Sequence, residues 1–189
     1  HNVSGINSLM KLTNLFLLLK FSLALIVVSQ TSYAQSVQQE ITCLADNIYW
    51  EARNQSVKGM MAVAHVTRNR VKSPHWPSTY CEVIEEGPMR ESWTTRKNPS
   101  LPDDQRIYFP KRDRCQFSWY CDGKSDTIPT QDTDIYEVAR MIAFKIVHNW
   151  FDDNTYGATH YHADYVTPKW AKQMTHTVTI GDHIFYKFP

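Results

Sequence analysis

The sequence predicts an α+β domain that is mainly helical and carries a small antiparallel β-sheet with a C-terminal hairpin. Two observations lead to this fold class: three segments place apolar residues at helical spacing, whereas the last segment alternates apolar and polar residues as a strand does. The chain has 189 residues, of which 42% are hydrophobic and 13% aromatic, a length that suits one well-buried core better than two. We therefore predict a single main domain.

The first 34 residues have the pattern of an export signal. Two lysines flank or interrupt the apolar run LFLLLKFSLALIVV, and Ser32 and Ala34 are the small residues that a signal peptidase requires before its cleavage point. A transmembrane anchor is the alternative, but the longest uninterrupted apolar piece, residues 21–28, is short for a bilayer span. We expect residues 1–34 to be signal and upstream sequence, and residues 35–189 to be one domain exported to the periplasm or the cell exterior.

The charge of the exported part favours neither a nucleic acid nor an anionic membrane as partner. Outside the first 34 residues, the chain carries one more acidic than basic side chain. We expect no nucleic-acid partner, no membrane contact after signal cleavage, and a monomer.

Four cysteines, an even number, are expected to form disulfides in an exported chain. Sequence alone allows three pairings, of which we favour Cys43 with Cys81 and Cys115 with Cys121. A zinc site is an alternative, but it requires paired C-x-x-C spacings that the chain lacks. Cys43 at a helix start would also suit an activated nucleophile, a weaker interpretation because all four cysteines have potential partners.

The first predicted helix, residues 39–53, holds a carboxylate at the edge of its apolar stripe. The stripe consists of Ile41, Leu44, Ala45, Ile48 and Ala52. At about 100° per residue, Glu51 lies only about 20° around the helix from Leu44. A carboxyl group there, beside Trp50, is partly removed from water, which raises its pKa and suits a general acid. The alternative is an edge glutamate that reaches solvent or pairs with Arg53.

Two further helices are predicted, with a long irregular segment between them. The second helix covers Val57–Val71 and ends at KSPHWPS, where two prolines stop it. The third covers residues 134–149 and begins at Asp134, which has Glu137 three residues later as a capping-box-like pair. Residues 85–130 show no periodicity, and within them we expect CQFSWYCDG to be ordered if its cysteines pair.

The C-terminal segment HTVTIGDHIFYKF has the alternation of a β-hairpin. Its central Gly-Asp pair is typical of a two-residue turn of type II′. This turn would pair Ile180 with His183 and Val178 with Phe185, so that His183 shares a face with three apolar side chains. We interpret His183 mainly as a packing residue.

Histidines offer a second kind of site. In GATHYHADY, His160 and His162 share a face if the segment is extended, and His183 could join them as a third zinc ligand. No H-E-x-x-H motif accompanies them, and we expect no metal or other cofactor. We favour a neutral His162 or His183 that hydrogen-bonds a carboxylate.

Aromatic residues are abundant enough to form a sugar-binding groove. Six tryptophans and ten tyrosines supply flat faces on which sugar rings can stack, although most such residues belong to cores. A few of them beside Glu51 would suit a polysaccharide, and an exported protein of this size meets cell-wall glycan before most other substrates.

Four ordered motifs resemble the cell wall hydrolase family typified by the spore cortex-lytic enzyme. They are ADNIYWEARNQSVKGMMAVAHVTRNRV, CQFSWYCDG, GATHYHADYVTPKW and IGDHIFYKF. The resemblance implies a lysozyme-like or lytic transglycosylase-like fold, peptidoglycan glycan strands as substrate, and Glu51 as the catalytic residue. It also implies that Gln116, Tyr161 and His162 bind substrate. The chain departs from the family at Asn54, where a second acidic residue is common.

The resemblance further implies cleavage of the β-1,4 bond between N-acetylmuramic acid and N-acetylglucosamine, with a 1,6-anhydro product. One glutamic acid is sufficient for that reaction, because the muramic acid 6-hydroxyl is the nucleophile. A hydrolytic muramidase of the same fold is the rival within this class. A zinc-dependent amidase or peptidase and a non-catalytic wall-binding module are rivals from other classes.

Overall fold

The part of the chain that the computed structural model describes, residues 35–189, combines five α-helices with two small antiparallel sheets. The α+β prediction is therefore confirmed. The expected export signal, residues 1–34, lies outside the described residues. Contacts group Glu40–Pro189 into one unit. Across residues 35–189, no helix has the length and apolar character needed to cross a bilayer.

The first helix, α1, covers residues 35–52 and presents the predicted stripe to the core. All five stripe residues are buried, with Leu44, Ala45, Ile48 and Ala52 fully so. Cys43 in α1 is bonded to Cys81 in α3, which covers Tyr80–Glu85. The pairing is the one that we favour from the sequence, and it ties the two helices together. The short helix α3 was not predicted.

The two long helices that pack together are α2, Val57–Val71, and α5, Thr133–Val147. The bounds of α2 agree with the prediction, and Ser56 caps its first turn by accepting a hydrogen bond from the Gly59 backbone N–H. Its buried face contains Ala62, Val63 and Val66, and that of α5 contains Ala139, Ile142 and Ile146.

The predicted capping box of α5 is wrong. The helix begins one residue earlier, so Asp132 occupies the N-cap position and Asp134 lies inside the first turn. The Asp132 side chain makes no capping hydrogen bond, and its carboxylate accepts one from the Tyr49 hydroxyl at 2.5 Å. Glu137 forms an ion pair with Arg140 instead.

The irregular segment contains a small sheet that the periodicity did not reveal. Strand β1, Met89–Glu91, pairs antiparallel with β2, Tyr108–Pro110, and the helix α4, Trp93–Arg96, lies between them in the chain. Strands of three residues are too short to display an alternating pattern. Cys115 and Cys121 are bonded, which closes CQFSWYCDG into the ordered loop that we expect.

The C-terminal sheet has three strands in the order β3-β5-β4. They are β3, His160–Ala163, β4, Thr175–Ile180, and β5, His183–Lys187. The hairpin has the predicted register, with Ile180 opposite His183 and Val178 opposite Phe185. Gly181 has φ of 56°, a left-handed conformation that glycine adopts without strain at the first turn position. Ile180 and Phe185 pack against Ala62 and Val66 of α2, so this sheet covers that helix.

Candidate active site

A cavity of about 610 Å³ opens between the end of α1 and the C-terminal sheet. Glu51 stands in the last turn of α1 and Tyr161 in the middle of β3, and both line it. Its lining also includes Trp50, Trp119, Asp122, Asp126, His162 and His183. Three sequence-predicted site residues, Glu51, Tyr161 and His162, are therefore brought together.

Glu51 combines a removal from water with one direct hydrogen bond. Burial raises the pKa of its carboxyl group, which favours the protonated form. The Tyr161 hydroxyl donates a hydrogen bond of 2.7 Å to the carboxylate, and this bond and the positive charge of Arg70 act in the opposite direction. Burial has the largest effect on the pKa, so the carboxyl group is suited to hold a proton. The Tyr161 hydrogen bond and the Arg70 charge then stabilise the carboxylate that remains when this proton is donated.

Tyr161 is held as a neutral hydrogen-bond donor. Burial and the neighbouring Glu51 carboxylate raise its pKa well above that of a free phenol, so the hydroxyl keeps its proton. The ring of Tyr161 also packs edge-on against His183, with 5.1 Å between ring centroids.

Arg70 is a functional candidate that the sequence analysis missed. It lies in the last turn of α2 with only 6% of its surface exposed, and its Nε donates a hydrogen bond of 2.8 Å to the Thr159 carbonyl, just before β3. The guanidinium lies 5.0 Å from the centroid of the Phe117 ring. Its charge lowers the pKa values of both Glu51 and Tyr161. The available signal was its position on the buried stripe of α2, seven residues after Val63.

Two tryptophans form an aromatic wall of the cavity. The rings of Trp50 and Trp119 are stacked, with centroids 6.4 Å apart and an interplanar angle of 23°. Trp119 Nε1 donates to Asn47 Oδ1 at 3.0 Å, and Asn47 in turn donates to Thr67 at 3.2 Å. This chain of bonds fixes the Trp119 ring against the buried side of α1, and the wall offers the flat surface that sugar rings require.

The expectation that His162 or His183 hydrogen-bonds a carboxylate is wrong for the described residues. His162 contacts the Ala163 carbonyl at 2.8 Å and the Tyr186 hydroxyl at 3.1 Å, and its ring is stacked on Tyr186. His183 is buried, its Nδ1 has no hydrogen-bond partner in the described part of the chain, and burial lowers its pKa. Its packing against apolar neighbours agrees with the role that we expect from the hairpin.

The sheet separates the three histidines of the zinc alternative. Successive residues of a strand point to opposite faces, and Ala163 pairs with His183. Tyr161 and His183 therefore share one face, whereas His160 and His162 occupy the other. Within residues 35–189, no three His, Cys, Asp or Glu side chains are grouped as metal ligands. This interpretation of the three histidines is not supported.

Gln116 is not brought to the cavity. It is exposed, its backbone N–H donates to the Glu86 carbonyl at 2.9 Å, and it is absent from the residues that line the cavity. The turn after α1 likewise leaves Asn54 exposed and outside the lining. The Asn54 side chain therefore makes no direct contact with this cavity.

Two further carboxylates line the same cavity. Asp122 accepts a hydrogen bond of 2.8 Å from the Lys124 backbone N–H and forms an ion pair with the Lys124 ammonium at 3.1 Å, which lowers its pKa. Burial and the negative charge of Asp122 raise the pKa of Asp126. Asp46, in α1, is hydrogen-bonded to the Tyr136 hydroxyl at 2.6 Å and does not line the cavity.

Comparisons with known proteins agree with this architecture. The family model described as Cell Wall Hydrolase matches residues 54–186. The matched range includes Tyr161 and His162 and begins after Glu51. The spore cortex-lytic enzyme of Bacillus cereus is 28% identical over 151 residues, which are 79% of this chain and 45% of that protein. The chain thus spans just under half the length of this curated relative.

Two solved structures are similar to this chain in both sequence and fold. The catalytic domain of the Bacillus cereus SleB protein has a TM-score of 0.54 and 28% identity, covering 79% of this chain and 91% of that chain. The catalytic domain of the germination-specific lytic transglycosylase SleB from Bacillus anthracis has a TM-score of 0.53 and 27% identity, covering 79% and 95%. The family predicted from the four motifs is confirmed, and the chain belongs to the cell wall hydrolase family.

Proposed function

We propose that the domain is a peptidoglycan lytic transglycosylase that cleaves the β-1,4 bond between N-acetylmuramic acid and N-acetylglucosamine. The observation that carries the proposal is a protonatable glutamate, Glu51, hydrogen-bonded by Tyr161 in a cavity with a tryptophan wall. The names of its relatives, a spore cortex-lytic enzyme and a germination-specific lytic transglycosylase, support the same reaction class.

In the first half of the proposed reaction, Glu51 is the general acid. Its carboxyl proton passes to the glycosidic oxygen as the bond between that oxygen and the anomeric carbon of the muramic acid breaks. Glu51 is then a carboxylate. The Tyr161 hydroxyl and the positive charge of Arg70 stabilise this anion, which offsets the cost of a charge held away from water.

In the second half, the same carboxylate is the general base. It accepts the proton of the muramic acid 6-hydroxyl as that oxygen bonds to the anomeric carbon and closes the 1,6-anhydro ring. Glu51 is protonated again and the cycle is complete. A nucleophile within the substrate has a high effective concentration, so no second catalytic carboxylate is needed.

The cavity supplies surfaces for the glycan on either side of this bond. Stacked Trp50 and Trp119 are suited to one or two sugar rings. His162 lines the same cavity with both ring nitrogens already hydrogen-bonded, so it adds ring surface for contact with the glycan. We also propose that the domain acts outside the cytoplasm, because disulfides such as those of Cys43 and Cys115 persist in oxidising compartments.

Hydrolysis is the second candidate function, and the position of Asp122 and Asp126 favours it. Both line the cavity that holds Glu51, and hydrolytic glycosidases use a second carboxylate as a nucleophile or to activate water. In that reaction, Asp122 is the stronger candidate for the ionised group, since its pKa is lowered.

Mass analysis of the fragments released from purified peptidoglycan tests the proposal. The wild type should release anhydro products, lighter by one water than hydrolytic products. Glu51→Gln, which is nearly isosteric, should fold and lose about 10²- to 10⁴-fold in rate. The matched variant Asp122→Asn should retain transglycosylation. Reducing-end products from the wild type, together with an inactive Asp122→Asn variant, identify a hydrolase instead. Full activity of purified Glu51→Gln, or binding to the wall without any released fragment from the wild type, contradicts the proposed role of Glu51.

A further inference from the structure

The small sheet of β1 and β2 presents apolar side chains to solvent, in contrast to the C-terminal sheet. Trp93 is 60% exposed and Phe109 is 50% exposed, and Met89, Ile107 and Tyr108 are exposed to similar degrees. Tyr108 and Phe109 project to opposite faces of the sheet, and Phe109 lines a cavity together with Trp93. Exposed apolar side chains that meet in this way are typical of binding sites. This region lies outside the Glu51 cavity.

A separate cavity of about 220 Å³ lies within this surface. We name it the Trp93 pocket, and its lining residues are Arg90, Glu91, Ser92, Trp93, Arg96 and Phe109. Its volume is below that of sites that enclose a drug-sized ligand, so it suits one unit of a larger molecule.

The charges of the Trp93 pocket that are not neutralised by an ion pair are positive. Its one acidic residue, Glu91, is neutralised by Arg106, whose Nη1 lies 2.7 Å from the Glu91 carboxylate. Among the described residues, neither Arg90 nor Arg96 forms an ion pair with an acidic side chain. The ammonium of Lys97 lies 3.5 Å from the centroid of the Trp93 ring, which adds a third positive charge at the rim.

This combination selects a carboxylate attached to an apolar or sugar unit. Guanidinium groups bind carboxylates through paired hydrogen bonds, and the Trp93 and Phe109 rings provide apolar contact area beside them. In the substrate proposed above, the glycan is largely uncharged at neutral pH, whereas the peptide stems attached to it carry carboxylates. A concave site of this size also fits a single residue of a stem better than the flat surface of a bilayer.

The Trp93 pocket is tied to the wall of the Glu51 cavity by a short crosslinked segment. The Lys111 backbone N–H donates to the Pro88 carbonyl at 2.8 Å, which continues the pairing of the small sheet just beyond Met89 and Pro110. The chain then enters the loop closed by the Cys115 and Cys121 disulfide, and this loop carries Trp119 into the cavity lining. A polymer bound at the pocket is therefore held by a sheet whose second strand leads directly into one wall of the proposed cleavage site.

We propose that the Trp93 pocket is a second substrate site, which binds a carboxylate of the peptide stems of peptidoglycan. The proposal depends on the proposed function for the identity of the polymer. It assigns to Arg90 and Arg96 a role in retaining the strand and none in the chemistry at Glu51.

Sedimentation with purified sacculi tests the site in the inactive Glu51→Gln protein. Adding Arg90→Gln and Arg96→Gln should weaken binding to stem-bearing sacculi about tenfold. It should leave binding unchanged for sacculi whose stems have been removed by an amidase. Arg114→Gln with Arg140→Gln removes the same number of charges outside both cavities and is the matched control. Thermal melting verifies that each variant is folded.

Three results overturn the assignment. If the pocket variant and the control bind stem-bearing sacculi equally, the proposed site is ruled out. If the pocket variant loses as much binding to stem-free glycan as to stem-bearing sacculi, the pocket binds the sugar chain instead. Arginine-dependent binding to phosphatidylglycerol vesicles, with no loss on sacculi, assigns it to a membrane. Failure of the proposed function is distinguishable, because wild-type protein would then release no anhydro-ended glycan fragments, whatever the binding data show.

Discussion

The Tyr161 hydroxyl donates a hydrogen bond of 2.7 Å to the Glu51 carboxylate, although 110 residues separate the two in the chain. The bond joins the last turn of α1 to the middle of β3. It stabilises the ionised carboxylate, whereas burial stabilises the protonated form. A group that acts as acid and then as base in one cycle must reach both forms, and this pair provides the two opposing influences.

Tyr161→Phe should shift the pH dependence of the reaction to higher pH. The substitution removes a hydrogen bond that favours the carboxylate, so the pKa of Glu51 rises and its acid form persists to higher pH. The rate should fall about tenfold or more, because the anion formed in the first half-reaction loses a donor. Fragment release measured from pH 4 to 9 checks this. Tyr156→Phe, at an exposed site outside the cavity lining, is the control, and an unchanged profile for Tyr161→Phe rules out the assigned role.

Arg70→Met should also raise the pKa of Glu51, through the loss of a buried positive charge. Glu51, Glu86, His160 and Tyr161 all interact with this charge. Burial and, to a smaller extent, the charge of Arg70 lower the pKa of His160 to about 4, so this pKa should rise in the variant. Histidine NMR titration measures the change without any activity assay.

Arg70→Lys provides the comparison, since it keeps the charge while losing the Nε hydrogen bond to the Thr159 carbonyl. It should restore most of the pH profile and little of the stability. Equal pH profiles for the methionine and lysine variants would show that the charge is unimportant and that Arg70 acts only by holding β3.

Glu51→Gln should stabilise the protein at neutral pH. Because the pKa of Glu51 is higher in the folded state, the unfolded chain ionises first as pH rises above about 4.5, and the wild type loses stability up to the folded pKa. The glutamine variant lacks this loss. Its melting temperature should exceed that of the wild type at pH 7, and the difference should disappear near pH 4. Glu137→Gln, on the exposed side of α5, should show no such dependence. A lower melting temperature for Glu51→Gln at pH 7 contradicts the raised pKa.

His65 should make the domain sensitive to acid. It is fully buried in α2, and burial lowers its pKa from 6.5 to about 4. The unfolded chain therefore binds a proton that the folded state does not, and stability present above pH 6.5 is lost as pH falls to 4. The loss is about 3 kcal/mol over this range. Denaturant unfolding of His65→Gln should show a shallower decline between pH 7 and pH 4 than the wild type, whereas exposed His148→Gln should not. A decline that His65→Gln leaves intact would assign the acid sensitivity to other groups.

Features governed by nearby residues were predictable from the chain alone. The buried stripe of α1, the bounds of α2 and the register of the C-terminal hairpin follow from apolar periodicity, proline positions and a Gly-Asp turn. Elements too short for a period were missed, including α3 and the strands β1 and β2. The α5 capping box failed for a different reason, because the helix begins at Thr133 and so places Asp134 inside its first turn.

The amino-acid sequence by itself determined that Glu51 borders a buried stripe, and its motifs determined the family. Only the tertiary structure decided which side chains meet this carboxylate. It brought Tyr161 and Trp119 to the same cavity, left Gln116 outside, divided the histidines between two faces of a sheet, and buried Arg70 nearby. The physical reason is one of range. Periodicity and turn chemistry act over a few residues, whereas the pKa of a buried carboxyl group depends on charges and donors contributed by distant segments.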